Sequence, residues 1–227
     1  MRFNFLDPEG SRTRITIKRD LRDALIKLEH FSHCVLFTKD NQGFRCYIAK
    51  IINVAEKTGE MLVESDNPAG ELVDIKPYFP CEEKVDNYDK EIVLREEEFV
   101  PLLFKGTPVG KSHSCHDGDA IQFQESENLS YEAIIRVLKH IKEGAFLRLI
   151  WWFDRFDDIR YRSHLVCNPP YDNAPKCGVF ATRSPVRPNP LASTIVKVKS
   201  VDPFNASITV LGFDGFPGTM ILQVVPY

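Results

Sequence analysis

The chain has 227 residues, of which 43% are hydrophobic and 27% charged, with a formal net charge of −3. That length suits one large domain or two small ones and supplies enough apolar side chains for a core. The near-neutral balance gives no global argument for nucleic acid, and no apolar run approaches a membrane span, so no membrane partner is expected.

The predicted elements run in chain order as follows. Arg14–Lys18 alternates and predicts a strand. Asp20 heads a predicted helix, DLRDALIKLEHF, with Leu21, Ala24, Leu25 and Leu28 at helical spacing. Val35–Phe37, Arg45–Val54, Glu60–Ser65 and Leu72–Pro77 read as strands. Residues 81–105 are charged, with eight acids against three bases between 81 and 98, and read as an acidic linker or solvated helix. A new unit begins near Gly106, where TPVGKSHSCHDGDAIQF reads as strand, loop, strand. Asn128 or Ser130 is placed to cap the helix YEAIIRVLKHIK, whose apolar face is Ile134, Val137, Leu138 and Ile141, and Gly144 ends it. Phe146–Phe153, Ile195–Val201, Ile208–Leu211 and Met220–Val225 complete the strands. The class is therefore mainly β with a few helices, an α+β arrangement.

Gly178–Lys199, GVFATRSPVRPNPLASTIVKVK, is the densest stretch chemically. A β-rich run, Gly178–Thr182, enters a polar loop, and the β-branched run Thr194–Val198 leaves it. Pro185, Pro188 and Pro190 fix φ and bias Ser184, Arg187 and Asn189 to extended backbone. Arg183 and Arg187 sit four apart on this stiffened loop, and a planar guanidinium suits a carboxylate or phosphate. A proline-rich surface loop with incidental arginines has the same composition.

The ordered string GVFATRSPVRPNP resembles the signature of the TsaA/TrmO family. The flanking LIWWFDRFDD fits that family, as do LEHFSHCVLF and DIKPYFP in the first part of the chain. The resemblance implies an S-adenosylmethionine-dependent methyltransferase on a small single-sheeted β-barrel, not a Rossmann fold. Its expected substrate is N6 of threonylcarbamoyladenosine beside the tRNA anticodon. It implies a cofactor site at Arg183, Ser184, Pro185, Arg187, Pro188, Ser193, Phe213, Asp214 and Gly215. Asn189 is the implied catalytic group, accepting from the adenine amine as charge develops there. Asp74, Lys76, Tyr78, Arg160, Arg162 and Tyr171 are implied on the substrate side. Two departures stand out: Leu191-Ala192-Ser193-Thr194 replaces the usual Ile-Gly-Leu-Ser or Ile-Ala-Leu-Thr, and Asp214-Gly215-Phe216-Pro217 alters an Asp-Gly-Thr-Pro segment. The alternative function is therefore a catalytically inactive cofactor- or RNA-binding module of the same fold.

The chain also resembles itself. YIAKIINVAEKTGEMLV (47–63) aligns with TIVKVKSVDPFNASITV (194–210) at an offset of 147, and GELVDIKPY with GTMILQVVPY. This predicts two related β-barrel-like units packed as an intramolecular pseudo-dimer, with homodimerisation also open. Residues 1–80 form a degenerate half, 81–105 the linker, and 106–227 the half carrying the loop. A single working site is expected, completed by Asp74, Lys76 and Tyr78.

Other constellations are weaker. His113, Cys115 and His116 with Cys167 or Cys177 match no zinc spacing, and no metal is expected. Asn168-Pro169-Pro170-Tyr171 spells NPPY but follows no βαβ series, which leaves coincidence or a stacking role for Tyr171. One of Trp151 and Trp152 is expected in the core and the other is available as a wall for a base. Residues 155–199 hold eight Lys/Arg against three acids, which reads either as ordinary solvated surface or as a local basic face suited to tRNA phosphates. Six scattered cysteines and no apolar leader after Met1 give the expectation of a cytoplasmic protein with reduced thiols.

Overall fold

A computed structural model describes residues 5–9, 11–41, 43–66, 68–78, 110–115, 118–126, 129–169 and 174–227, with the side chains of 5, 7–9 and 110–115 left aside. The acidic linker, Asn128, His116 and Tyr171 lie outside the described residues, as do the side chains of His113 and Cys115. Contacts divide the described residues into two compact units. The first draws on Met1–Asp40, Phe44–Pro80 and Arg155–Pro190, and the second on Asn41–Gly43, Cys81–Asp154 and Leu191–Tyr227. Residues 155–190, which the sequence reading placed in the second half, thus lie in the first unit.

The first unit is built on a six-stranded sheet of β1 (Phe5–Glu9), β2 (Arg12–Thr16), β3 (His33–Asp40), β4 (Gly43–Ala55), β5 (Glu60–Glu64) and β6 (Glu71–Pro77). The strand order is β1-β2-β5-β4-β3-β6. Its core joins Ile15, Ile17, Leu36, Val63 and Ile75 from the sheet to Leu21, Leu25 and Leu28 from the segment after β2. That segment is not the predicted α-helix. It forms two 3-10 turns, Arg19–Leu25 and Leu28–His30, separated by an extended Ile26 and by Lys27 at φ 66°. The apolar spacing survives because Leu21, Ala24, Leu25 and Leu28 all bury under either helix period.

The second unit holds β7 (Gly110–Cys115), β8 (Gly118–Phe123), the helix α1 (Tyr131–Leu138), β9 (Phe146–Trp152), then β12 (Leu191–Asp202), β13 (Ser207–Leu211) and β14 (Met220–Pro226). These strands close into a barrel in the order β12-β13-β8-β7-β14-β9. Ser130 caps α1 by accepting from the Ala133 amide at 3.3 Å. The helix stops at Leu138, earlier than the periodicity suggests, yet Ile141 still packs into the core beyond it. Between β9 and β12 the chain enters the first unit as a short helix α2 (Ile159–Arg162) and a two-residue ladder of β10 (Val166–Cys167) and β11 (Cys177–Gly178).

The two units share one strand order. Substituting β7, β8, β9, β12, β13 and β14 for β1 to β6 in turn converts the sheet into the barrel sequence. The register agrees in detail. Ile51 pairs with Val63 and Asn53 with Leu62, with a shift between them; Val198 pairs with Val210 and Ser200 with Thr209, with the same shift. The β3–β6 ladder skips Val73 and the β9–β14 ladder skips Leu222. Every pairing whose register is described is antiparallel. One difference matters for the site. In the barrel β14 pairs with both β9 and β7, whereas among the described residues of the first unit β6 ends the sheet, paired with β3 alone.

Candidate functional site

An edge strand exposes carbonyls at every second residue, all pointing the same way. On β6 these belong to Val73, Ile75 and Pro77. The 183–190 loop satisfies all three with side-chain donors. Asn189 Nδ2 donates to the Val73 carbonyl at 2.7 Å, Arg187 to that of Ile75 at 2.6 Å, and Arg183 to that of Pro77 at 3.3 Å. Val73 is also the residue that the β3–β6 ladder skips, and its carbonyl is taken by Asn189.

Arg187 anchors this arrangement. Its side chain is fully buried. Nε donates to Asp74 Oδ1 at 3.1 Å and the guanidinium closes on that oxygen at 3.0 Å. The Nη1 group donates to the Thr182 and Ser184 carbonyls at 3.0 and 3.2 Å, and Nη2 also serves Ile75. A guanidinium has five N–H donors, and these contacts engage each nitrogen. Arg187, expected at the cofactor, is instead the internal fastener of its own loop. No donor is left over for a ligand carboxylate.

Lys76 approaches the other Asp74 oxygen at 3.2 Å, with both side chains buried. Burial, followed by the nearby Arg187 charge, lowers the Lys76 ammonium to about 7; Asp74 opposes that fall. Two cations therefore share one buried carboxylate. Tyr78 lies at the end of β6, its amide donating to the His33 carbonyl at 3.1 Å and its ring edge-on to that histidine.

The stem of the loop departs from the sequence reading. Val179–Ala181 is a buried 3-10 turn rather than a strand, and it joins the apolar core of the first unit. A β-rich run was read there because valine and phenylalanine suit a pleated surface; burial by surrounding tertiary structure decides otherwise. Gly178 permits this entry. Its amide donates to Ile26 at 2.8 Å, and a Cβ there would stand 2.2 Å from the Ala24 carbonyl oxygen. Ser184 closes a local turn, its hydroxyl accepting from the Val186 amide at 3.2 Å, and Thr182 accepts from the Ser184 amide at 3.3 Å. Ser184 and Pro185 are half-buried, while Pro188 is buried.

The two arginines of α2 have separate roles. Arg162 donates to the Pro188 carbonyl at 3.0 Å while pairing with Asp157, so it supports the loop. Arg160 is open to solvent and forks onto Asp158. That contact lowers the Asp158 carboxyl and raises the Arg160 guanidinium. Beside it Tyr161 stacks edge-on against Phe156.

Ser193, Phe213, Asp214 and Gly215 belong to the second unit. Ser193 Oγ accepts from Arg148 at 3.0 Å. Trp151 donates through its indole to Thr194 at 3.0 Å, and Thr194 donates to Asp214 at 2.5 Å. Phe213 packs edge-on against Trp151 and Gly215 abuts the Phe213 ring. Trp151 and Trp152 are both buried. The counterparts of Asp74 and Lys76 in this unit are Gln223 and Val225, opposite Ile150 and Arg148. In the first unit Lys76 faces Val35, so the cation sits on the opposite strand of the matching pair. Among the described residues no cluster of His, Cys, Asp and Glu is arranged to hold a metal, and no helix is long and apolar enough to cross a membrane.

Sequence reasoning missed the edge carbonyls of β6, the requirement at Gly178 and the role of Thr182. The only local signal was the alternation of β6 itself, and alternation does not reveal which strand ends a sheet.

Residues 116–227 match the model of the tRNA-methyltransferase O N-terminal domain. A probable S-adenosyl-L-methionine-binding protein of Methanocaldococcus jannaschii is 31% identical over 44% of this chain and 82% of its own length. One from Pyrococcus abyssi is 31% identical over 56% of this chain and 70% of its own. The human tRNA (adenine(37)-N6)-methyltransferase is 32% identical over 53% of this chain, but the match spans only 29% of that protein. A crystal structure of TrmO from Pseudomonas aeruginosa overlaps 53% of this chain and 54% of its own, at a TM-score of 0.36 and 20% identity. The archaeal matches, which take in most of each relative at over 30% identity, place the chain: it belongs to the TrmO (TsaA) family of tRNA-methyltransferase O proteins.

Proposed function

We propose that this protein is an S-adenosylmethionine-dependent methyltransferase acting on N6 of threonylcarbamoyladenosine beside the tRNA anticodon. The observation that carries the reading is the anchoring of the 183–190 loop to β6 through Arg187, Asn189 and Asp74. Relatives named for S-adenosylmethionine binding and for methylation of tRNA adenine 37 supply the chemical class.

The donor chemistry of the loop fits the cofactor. Arg187 and Asn189 are turned inward, while Arg183 and Ser184 stay half-buried at its start. Arg183 would hold the methionine carboxylate, as a charged fork suits that group. When bound, the cofactor supplies an electrophilic methyl group on a sulfonium. Transfer is an in-line displacement that depends more on alignment than on strong acid–base groups. The loop meets that need by rigidity, with three prolines in its backbone and side chains tied to a sheet edge. Asn189 donates through its amide nitrogen to Val73, which orients its oxygen; that oxygen is the group proposed to accept from the adenine amine. Arg160 and the neighbouring Tyr161 offer a charge and a ring to tRNA.

The common strand order and the matching bulges support reading the two units as copies of one ancestral unit. In that reading only the first retains the Asp74–Lys76 pair, and a single working site results.

The second reading is a cofactor- or RNA-binding module without catalysis. It is favoured by Ser193 and Asp214, which are both engaged internally by Arg148 and Thr194. Calorimetry with S-adenosylmethionine, followed by methylation of tRNA carrying threonylcarbamoyladenosine and mass analysis of the nucleosides, tests the pair. A mass gain of one methyl on that nucleoside is expected. Binding without turnover favours the module, and the absence of both overturns the proposal.

A further inference from the structure

The β10–β11 ladder places Cys167 directly opposite Cys177. Both are free thiols in this structure. Residues facing one another across an antiparallel pair have Cα atoms about 4.5–5.5 Å apart. A disulfide accepts Cα separations of about 4.4–6.8 Å, so the separation that this register implies lies within bridging range. The other cysteines whose side chains are described, Cys34 and Cys46, lie on β3 and β4.

The location gives the pair a consequence. Cys177 is adjacent to Gly178, whose amide is bonded to Ile26, and Val179 donates to the Leu165 carbonyl at 2.9 Å. The Cys167 thiol donates to Thr182 Oγ1 at 3.7 Å, and the Cys177 thiol to the Cys167 carbonyl at 3.9 Å. Thr182 also accepts from the Ser184 amide and donates to Val179. The two thiols therefore stand at the stem of the 183–190 loop, with one of them hydrogen-bonded to its first turn.

We propose that Cys167 and Cys177 form a reversible disulfide that fastens this stem under oxidation by a hydroperoxide. The half-buried Cys167 is the first thiol to react. Its sulfur attacks the peroxide O–O bond, giving a sulfenic acid and releasing water from hydrogen peroxide. The Cys177 sulfur then displaces the sulfenic hydroxyl as a second water, and the S–S bond forms. Two thiols lose two electrons and two protons, and one peroxide becomes two waters. The bridge would lock a ladder of only two residue pairs and remove the thiol donor from Thr182. Burial raises the Cys177 thiol and so lowers its thiolate fraction, which leaves the first attack on the peroxide to Cys167.

Trypsin separates the pair, since cleavage after Arg162, Lys176 and Arg183 puts Cys167 and Cys177 on different peptides. Purified full-length protein is treated with hydrogen peroxide, alkylated and digested without reductant. A linked species, two hydrogens lighter than the sum of peptides 163–176 and 177–183, is expected in place of both, and dithiothreitol should restore them. Hydrogen exchange at the Val179 amide should slow in the oxidised protein. Separate sulfinic or sulfonic peptides, or links to Cys34 or Cys46 instead, would overturn the pairing. A Cys167–Cys177 link with unchanged exchange at Val179 would overturn the fastening.

Discussion

Arg187 and Asp74, 113 positions apart, meet at 3.0 Å with both side chains sealed from solvent. This ion pair joins the proline loop to an edge strand, and it sets the sign of the first prediction. Breaking a buried pair from one side strands the remaining charge, at a cost of about 3–5 kcal/mol. Asp74→Ala should therefore lower stability by that order in urea denaturation. Replacing both, as Asp74→Leu with Arg187→Met, should cost less than the sum of the single changes. Additive losses would show that the two side chains do not act as a pair.

Lys76 gives a pH dependence. Its ammonium falls from 10.5 to about 7 in the folded protein, chiefly by burial. Above the unfolded value both states are neutral and burial carries no charge penalty. As pH falls from 10.5 toward 7, the unfolded chain binds a proton that the folded one does not, so stability declines. Below 7 the penalty is complete. The slope contributed by one such group is at most about 1.4 kcal/mol per pH unit. Lys76→Met should remove this rise of stability between pH 7 and 10.5, as read from the difference between variant and parent melting curves. Parallel curves would sink the assignment.

Arg183 should separate binding from folding. A charge-assisted hydrogen bond to a carboxylate contributes about 1.5–3 kcal/mol, or roughly ten- to hundredfold in affinity. Arg183→Ala should weaken S-adenosylmethionine binding by that factor in calorimetry, while the folded state loses only the 3.3 Å hydrogen bond to the Pro77 carbonyl, at a cost of about 1 kcal/mol. Unaltered affinity in the folded variant would remove Arg183 from the cofactor site.

The two arginines of α2 should behave differently. Arg160 is exposed, whereas Arg162 holds the Pro188 carbonyl. Arg160→Glu should weaken tRNA binding with cofactor affinity intact, and its effect should shrink as salt rises. Arg162→Ala should disturb both, because it releases the loop. Equal profiles from filter binding and calorimetry would contradict the division.

Gly178→Ala tests the entry of the loop stem. The added methyl would sit 2.2 Å from the Ala24 carbonyl oxygen, a backbone atom that cannot rotate away. Overpacking of this kind typically costs about 1–3 kcal/mol. Chemical denaturation should show that loss, and a neutral substitution would mean the stem packs elsewhere in solution.

Local order in the chain was enough to determine most strands and to narrow the cap of α1 to Asn128 or Ser130, of which Ser130 makes it; it also shows a 147-residue offset, at which the β4–β5 and β12–β13 ladders carry a register shift at matching positions. It was also enough to single out the proline loop, because proline spacing and arginine chemistry act over a few residues. Tertiary structure alone decided that 155–190 joins the first unit, that β6 ends a sheet while β14 lies within a barrel, and that Arg187 faces inward to Asp74. Periodicity records which side of a strand is apolar. It carries no record of which neighbour fills the edge, since carbonyls at Val73, Ile75 and Pro77 are the same chemical group in any sequence. The 3-10 turn at Val179–Ala181 failed for a related reason: core packing from several elements outweighed a β-propensity that spans at most about 1 kcal/mol.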